Sequence, residues 1–208
     1  MKKWFAYGGV AASIILVAFG TGAIVIGATG INEVRDKLAQ ESIVGSPDMT
    51  PSAIKAEAKG AGLPSSITLP TSSVAGRTID TGAEAKTFAE YMRIHALEAT
   101  GGRPYAEMGR FLTPSGKETS DPNLAAKDPK TGQPVANGAR DIWVTETALA
   151  TALNTSFFAE RVAVFSIVMG VALLLTGIGF LILTLGGALG IVPLPRRHPK
   201  PAASAVAV

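Results

Sequence analysis

Two long stretches of the chain carry no acidic or basic side chain, whereas the residues between them mix apolar and charged positions. The uncharged stretches cover residues 4–32 and 162–195. The hydrocarbon core of a bilayer is roughly 30 Å thick, and a helix crosses it with about 20 apolar residues. Each stretch is long enough to cross with room to tilt. The pattern therefore predicts transmembrane helices over residues 8–31 and 162–192.

The residues between the two stretches favour short helices separated by turns. Glu33 and Lys37 are four apart, a favourable helical pairing, so we expect the first helix to continue outward until Gly45-Ser46-Pro47. Thr50-Pro51 is typical of a helix start and predicts a helix over residues 51–59. Thr81 in turn caps a predicted helix over residues 82–100, which Gly101-Gly102 ends.

The last helix is predicted from near Ala139 and runs into the second apolar stretch, where prolines at 193 and 195 end it. Residues 103–138 are dominated by turn formers, so we expect a loop. Helical spacing predicts two apolar faces, one on helix 82–100 and one on the last helix: Ala85, Phe88, Met92, Ala96, Ala99; and Ile142, Leu149, Leu153. The predicted fold class is an all-α membrane protein, an antiparallel two-helix transmembrane hairpin with a small, loop-rich helical extracytoplasmic cap.

Charge predicts the orientation of the chain. All 16 acidic residues lie between Glu33 and Glu160. The basic residues outside residues 33–161 flank the outer ends of the two apolar stretches: Lys2, Lys3, Arg196, Arg197, Lys200. Lysine and arginine close to a span are retained in the cytoplasm. We therefore expect residues 1–7 and the basic, proline-rich tail 193–208 to be cytoplasmic. Residues 32–161 are then extracytoplasmic, and the protein is multi-pass in the plasma membrane.

The high isoelectric point, about 9.3, comes from those terminal residues. A basic patch with interleaved aromatic residues is absent from the sequence, so nucleic acid is not an expected partner. A cleaved signal peptide is the alternative for the first stretch, with Gly27-Ala28-Thr29-Gly30 as a poor cleavage site. The apolar run Val10–Ile31 is longer than the usual apolar region of about 7–15 residues. We expect an uncleaved anchor.

Small residues recur every seven positions in both apolar stretches, and Gly186 and Gly190 add a G-x-x-x-G pair. The candidate packing residues are Ala6, Ser13, Gly20 and Gly27 in the first stretch and Ala163, Gly170, Gly177 and Thr184 in the second. Helices in lipid associate where small residues let the backbones approach. We expect the two rows to face each other. One alternative is a homo-oligomer formed through Gly186 and Gly190. The other is that the rows have no packing role, because glycine and alanine are simply frequent in membrane spans.

Histidine is the limiting residue for metal chemistry. His95 lies in the extracytoplasmic segment and His198 in the cytoplasmic tail, so the bilayer separates them in the predicted topology. A non-haem iron site needs two histidines and a carboxylate, and catalytic zinc needs three protein ligands. We expect a single chain to build neither, and predict no catalytic, cofactor-binding or metal-binding residue. For His95 we expect packing on a helix surface, with a pH-sensitive contact as the alternative.

The run from Asp141 to Glu160 is rich in threonine, and Glu146 is its only charge between the ends. Such a helix indicates contact either with a partner or with the protein's own cap.

Three stretches carry a resemblance to known proteins: residues 2–10 (KKWFAYGGV), 88–95 (FAEYMRIH) and 142–149 (IWVTETAL). Nearly the whole chain resembles a family of uncharacterised two-span membrane proteins from actinobacteria that are often labelled aromatic ring-opening dioxygenases. The resemblance implies dioxygenase activity, for which metal ligands would have to be pooled across subunits. Our leading hypothesis from the residues is a non-enzymatic accessory subunit or envelope scaffold. The expected partners of such a protein are the lipid bilayer and another membrane or envelope protein. A dioxygenase and an envelope sensor are the alternatives.

Overall fold

The computed structural model describes residues 2–186, and this part of the chain is mostly helical, as the sequence predicts. Its secondary-structure elements, in chain order, are four α-helices, a short 3-10 turn and two short strands: α1 (Lys2–Glu41), α2 (Pro51–Gly60), α3 (Gly82–Ala99), the 3-10 turn Tyr105–Glu107, β1 (Phe111–Leu112), β2 (Glu118–Thr119) and α4 (Gly138–Leu185).

Two of the helices, α1 and α4, are long and apolar enough to cross a membrane. The most apolar 18-residue windows have mean hydropathies of 2.3 in α1 and 2.5 in α4. The helices pack against each other. Gly20 lies against Gly170, whereas Val17, earlier in α1, lies against Gly177, later in α4. The two helices therefore run antiparallel where they touch.

The chain divides into two compact units. The apolar unit comprises Met1–Gly27 and Phe165–Val208, and the polar unit comprises Ala28–Val164. Each unit thus contains part of α1 and part of α4, and the polar unit also contains α2, α3 and the strands.

Threonine residues begin α2 and α3, as the sequence predicts. The Thr50 hydroxyl accepts a hydrogen bond from the Ala53 amide at 3.2 Å. The Thr81 hydroxyl accepts one from the Glu84 amide at 3.3 Å and donates one to the Glu84 carboxylate at 2.9 Å. These bonds satisfy amides that a helix start would otherwise leave unpaired.

The core of the polar unit differs in part from the predicted apolar face of α3. The side chains of Tyr91 and Ile94 are fully buried, whereas Phe88 and Met92 are half-buried and Ala99 is exposed. The core contains Ile54 of α2 and two residues of the 61–81 connection, Val74 and Ile79. Because α3 is covered by these segments as well as by other helices, its buried surface is wider than one stripe.

The predicted face of α4 is wrong at two of its three positions. Ile142 and Leu149 are 39% and 47% exposed, and only Leu153 is buried. Trp143 is buried instead, because its indole nitrogen donates to the Thr100 hydroxyl at 3.2 Å and to the Arg103 carbonyl at 3.0 Å. These bonds hold Trp143, in place of Ile142, against the core, while Leu153 of the predicted face stays buried.

The segment over residues 103–138 contains a strand pair that the sequence did not predict. Strands β1 and β2 pair antiparallel, with Phe111 opposite Thr119. The Arg103 guanidinium donates to both carboxylate oxygens of Glu118, at 2.8 and 2.7 Å, and the Gly109 amide donates to the same carboxylate at 3.0 Å. This cross-link holds the segment together.

Candidate functional site

The predicted packing residues of the apolar stretches fall mainly at buried positions. On α1 these are Ser13, Gly20 and Gly27, and on α4 they are Ala163, Gly170, Gly177 and Thr184. The structure brings Gly20 and Gly170 together. Gly186 is exposed at the end of α4. The side chains of Lys2, Lys3 and Ala6 lie outside the described part of the structure, as do Gly190 and the basic residues of the tail.

The outward surface of α4 within the polar unit has no exposed charged side chain between residues 142 and 159. Glu146 is the only charged residue there and is 6% exposed. Its carboxylate lies 4.0 Å from the Arg93 guanidinium, which also lies 5.0 Å from the centre of the Trp143 ring. Surface helices of soluble proteins usually carry charged residues on the side away from the core. Residues 142–159 of α4 do not. We call the exposed residues 142, 144, 145, 148, 149, 151, 152, 155 and 158 the uncharged face.

The hydroxyl groups on this helix are mostly bonded to its own backbone. Thr151 donates to the Thr147 carbonyl at 2.6 Å, Thr155 to the Thr151 carbonyl at 2.7 Å and Ser156 to the Ala152 carbonyl at 3.2 Å. A polar group that already has a partner costs little to remove from water. The uncharged face can therefore be covered by another protein at low desolvation cost.

An apolar groove of about 600 Å³ adjoins the uncharged face. It lies between the end of α1, α3 and α4, and Leu149 and Ala152 belong to both features. Its apolar lining includes Leu38, Ile43, Phe88, Met92, Leu149 and Leu153, and Lys37 and Glu41 lie at its edge. Pockets of this size and composition accept apolar groups.

A separate cluster of titratable residues surrounds His95 of α3. The Nδ1 atom of His95 lies 2.7 Å from Oε1 of Glu57 in α2. One potential ligand atom from each of Asp48, Glu57 and His95 lies within 4.8 Å of the others. The count of histidines did not lead us to expect such a cluster, because it left out carboxylates from distant segments; whether the three groups bind a metal stays to be tested.

Burial raises the pKa of the Glu57 carboxyl group, and the neighbouring Glu98 carboxyl acts in the same direction, whereas His95 opposes the rise. By contrast, a hydrogen bond from the Ser46 hydroxyl lowers the pKa of Asp48. The cluster therefore combines an exposed, ionised carboxylate with one that is partly removed from water.

Little in the sequence indicates this cluster. Asp48, Glu57 and His95 are not spaced as a metal motif, and only the packing of α2 on α3 brings them together. Comparison of the chain with models of protein families, with curated proteins and with solved structures finds no match. Function is therefore inferred from the geometry of the chain itself.

Proposed function

We propose that the chain is a two-span plasma-membrane protein with both termini in the cytoplasm and residues 32–161 outside. Two helices of sufficient length and apolarity support the spans. The side on which each segment lies is supported by charge, because all the acidic residues fall between Glu33 and Glu160 and five basic residues flank the outer ends of the spans.

We further propose that it acts as a non-enzymatic accessory subunit or envelope scaffold that binds another membrane or envelope protein. The uncharged face of α4 is the observation that carries this proposal. A helix surface without exposed charge over residues 142–159, beside an apolar groove, is suited to burial against a partner. The core of a protein interface is likewise poor in charged residues.

Topology is tested with single cysteines, since the natural chain has none. Ser120→Cys and Ser204→Cys would be labelled in intact cells with a maleimide that does not cross membranes. Labelling of the first, with labelling of the second only after permeabilisation, is the expected result. Both cysteines reacting alike in intact cells would contradict the proposed orientation.

Partner binding is tested by photo-crosslinking in native membranes. A photoreactive phenylalanine analogue replaces Ala148 or Ala152 of the uncharged face, and the same analogue at Ala56, an exposed residue of α2, is the control. We expect both α4 positions to crosslink to one shared protein, identified by mass spectrometry, and Ala56 not to do so. Crosslinking to that protein from all three positions, or from none, would contradict the proposal.

A charge placed on the face provides a second test. Ala148→Arg should abolish co-purification of the crosslinked protein, because a buried, unpaired guanidinium is strongly disfavoured. Ala56→Arg should leave it unchanged. Both variants should keep the wild-type unfolding temperature, since both side chains are exposed in the chain alone.

A further inference from the structure

Three segments of the polar unit hold the residues around His95 in place. Asp48 lies in the turn before α2, Glu57 lies in α2, and His95 lies in α3. The backbone of the turn is fixed by the hydrogen bond from the Val74 amide to the Met49 carbonyl at 3.2 Å. Ile54 and Ile94 are 0% and 1% exposed and anchor α2 and α3 in the core. The ligand groups therefore project from a backbone that packing has already positioned.

Their spacing is close to that of a metal centre. The three ligand atoms lie within 4.8 Å of one another. In a tetrahedral zinc site with bonds of about 2.0–2.2 Å, the ligand atoms are roughly 3.3–3.6 Å apart. Closing the difference requires movement of the ligand atoms by about 1–1.5 Å. The exposed Asp48 side chain supplies this movement by rotating away from its hydrogen bond with the Ser46 hydroxyl.

The charge around the cluster also favours a cation. Glu98 adds a third carboxyl group beside Glu57. In residues 2–186, no salt bridge joins a lysine or arginine to Asp48, Glu57 or Glu98, and the imidazole of His95 is the only basic partner of Glu57. Of these three carboxylates only that of Glu57 is partly buried, and such burial is costly without a fixed counter-charge. A divalent cation would supply that charge.

A path from solvent reaches the imidazole. His95 lines an open cleft of about 550 Å³ between α3 and the start of α4, together with Met92 and Ile142. The side chains of His95 and Glu57 are 29% and 16% exposed, and Asp48 is exposed, so an ion can arrive without unfolding of the unit.

We propose that Asp48, Glu57 and His95 bind one divalent transition-metal ion of the zinc class. An imidazole with two carboxylates suits zinc, whereas calcium and magnesium prefer oxygen ligands alone. The bound ion would link the turn before α2 to α2 and α3 and so stabilise the polar unit. Its binding does not depend on the partner proposed above.

The test uses the full-length protein in detergent, purified through a tag without histidines and stripped with a chelator. Zinc is titrated by calorimetry, its stoichiometry is measured by elemental analysis, and cobalt provides an absorption spectrum that reports ligand geometry. We expect one zinc per chain, a higher unfolding temperature with zinc, and much weaker binding of calcium and magnesium.

The variants His95→Gln and Asp48→Asn should weaken zinc binding at least tenfold and change the cobalt spectrum. His198→Gln removes the other histidine, and Glu90→Gln removes a carboxylate on the same helix that pairs with Lys86. Both controls should bind zinc as the natural chain does. Circular dichroism of the metal-free variants checks folding. Asp48→Asn alters only an exposed side chain, so its zinc affinity tests the proposal even if His95→Gln misfolds.

Absence of stoichiometric zinc from the natural chain would overturn the proposal. Equal zinc affinity in Asp48→Asn, His198→Gln and the natural chain would do so as well, as would tighter binding of calcium than of zinc. Failure of the crosslinking experiment on α4 would leave these outcomes unaffected, because the two tests measure different residues and different ligands.

Discussion

Gly20 of α1 and Gly170 of α4 pack backbone against backbone. A Cβ atom added to either glycine would lie 2.7 Å from the carbonyl oxygen of the other. Real Cβ atoms do not approach backbone atoms so closely, so only glycine fits at both positions. In lipid, where apolar side chains give helices little reason to associate, such close backbone contact is a main source of packing energy.

Gly20→Ala should therefore loosen the helix pair. The added methyl group must push the backbones of α1 and α4 apart, at a cost of about 1–3 kcal/mol. Titration of the purified protein with a denaturing detergent, followed by circular dichroism, measures the loss. Gly22→Ala is the matched control, because a Cβ at Gly22 meets nothing within 4 Å. Equal midpoints for the two variants would show that this contact carries no packing energy.

Tyr91→Phe should destabilise the polar unit by about 1 kcal/mol. The Tyr91 hydroxyl donates to the Ser72 carbonyl at 3.0 Å, and its side chain is fully buried. Removing the hydroxyl leaves that carbonyl without this donor. Tyr105→Phe is the control, because Tyr105 is 43% exposed. Guanidinium unfolding followed by tryptophan fluorescence checks both, and the prediction fails if the two variants unfold at the same midpoint.

Glu118→Gln should lower stability at neutral pH by about 1 kcal/mol, since a neutral amide cannot replace the ion pair with Arg103. The hydrogen bonds from Arg103, with that from the Gly109 amide, lower the pKa of Glu118 from 4.5 to about 2. A carboxyl group whose pKa is lower in the folded protein stabilises it above the pKa of the unfolded chain.

The contribution of Glu118 should therefore be constant above about pH 5.5 and fade as the pH falls from 4.5 towards 2. Unfolding of the natural chain and of Glu118→Gln across this range gives the difference in stability directly. A difference that stayed constant down to pH 2 would rule out the ion pair as its source.

Glu160→Gln should weaken the start of α3. The Glu160 carboxylate accepts a hydrogen bond from the Gly82 amide, at the amino-terminal end of that helix. Negative charge at this end interacts favourably with the helix dipole, by about 0.3–1 kcal/mol. Hydrogen exchange at the amides of residues 82–85 should quicken. Glu33→Gln, which alters an exposed carboxylate of α1, should leave the exchange rates as they are.

Local signals in the sequence predicted the starts of α2 and α3 and the end of α3. The end of α1 was wrong, because the helix ends at Glu41, where Ser42 takes a positive φ angle, and not at Gly45-Ser46-Pro47. Thr50-Pro51 and Thr81 mark the starts of α2 and α3, and positive φ angles at Gly101 and Gly102 follow the end of α3. These features depend on hydrogen bonds within a few residues, so the sequence carries them directly. The two long helices were equally evident from uncharged stretches.

Contacts between distant residues were not predictable in this way. Apolar periodicity placed Ile142 and Leu149 in the core, but the hydrogen bonds of the Trp143 indole with Thr100 and Arg103 set the rotation of α4. The β1–β2 pair is too short to show alternation. In the cluster at His95, Glu57 and Asp48 precede the histidine by 38 and 47 positions along the chain. No local sequence pattern indicates that such distant residues lie together.

The internally bonded hydroxyls of Thr151 and Thr155 have a consequence for how tightly α4 holds a neighbour. A surface whose polar atoms are already hydrogen-bonded loses little free energy when it is removed from water. It also offers few hydrogen bonds that could hold a partner protein in one orientation. Association through it would rest on shape and on apolar contact. We therefore expect exchange of subunits on mixing labelled and unlabelled complexes, rather than a permanent assembly.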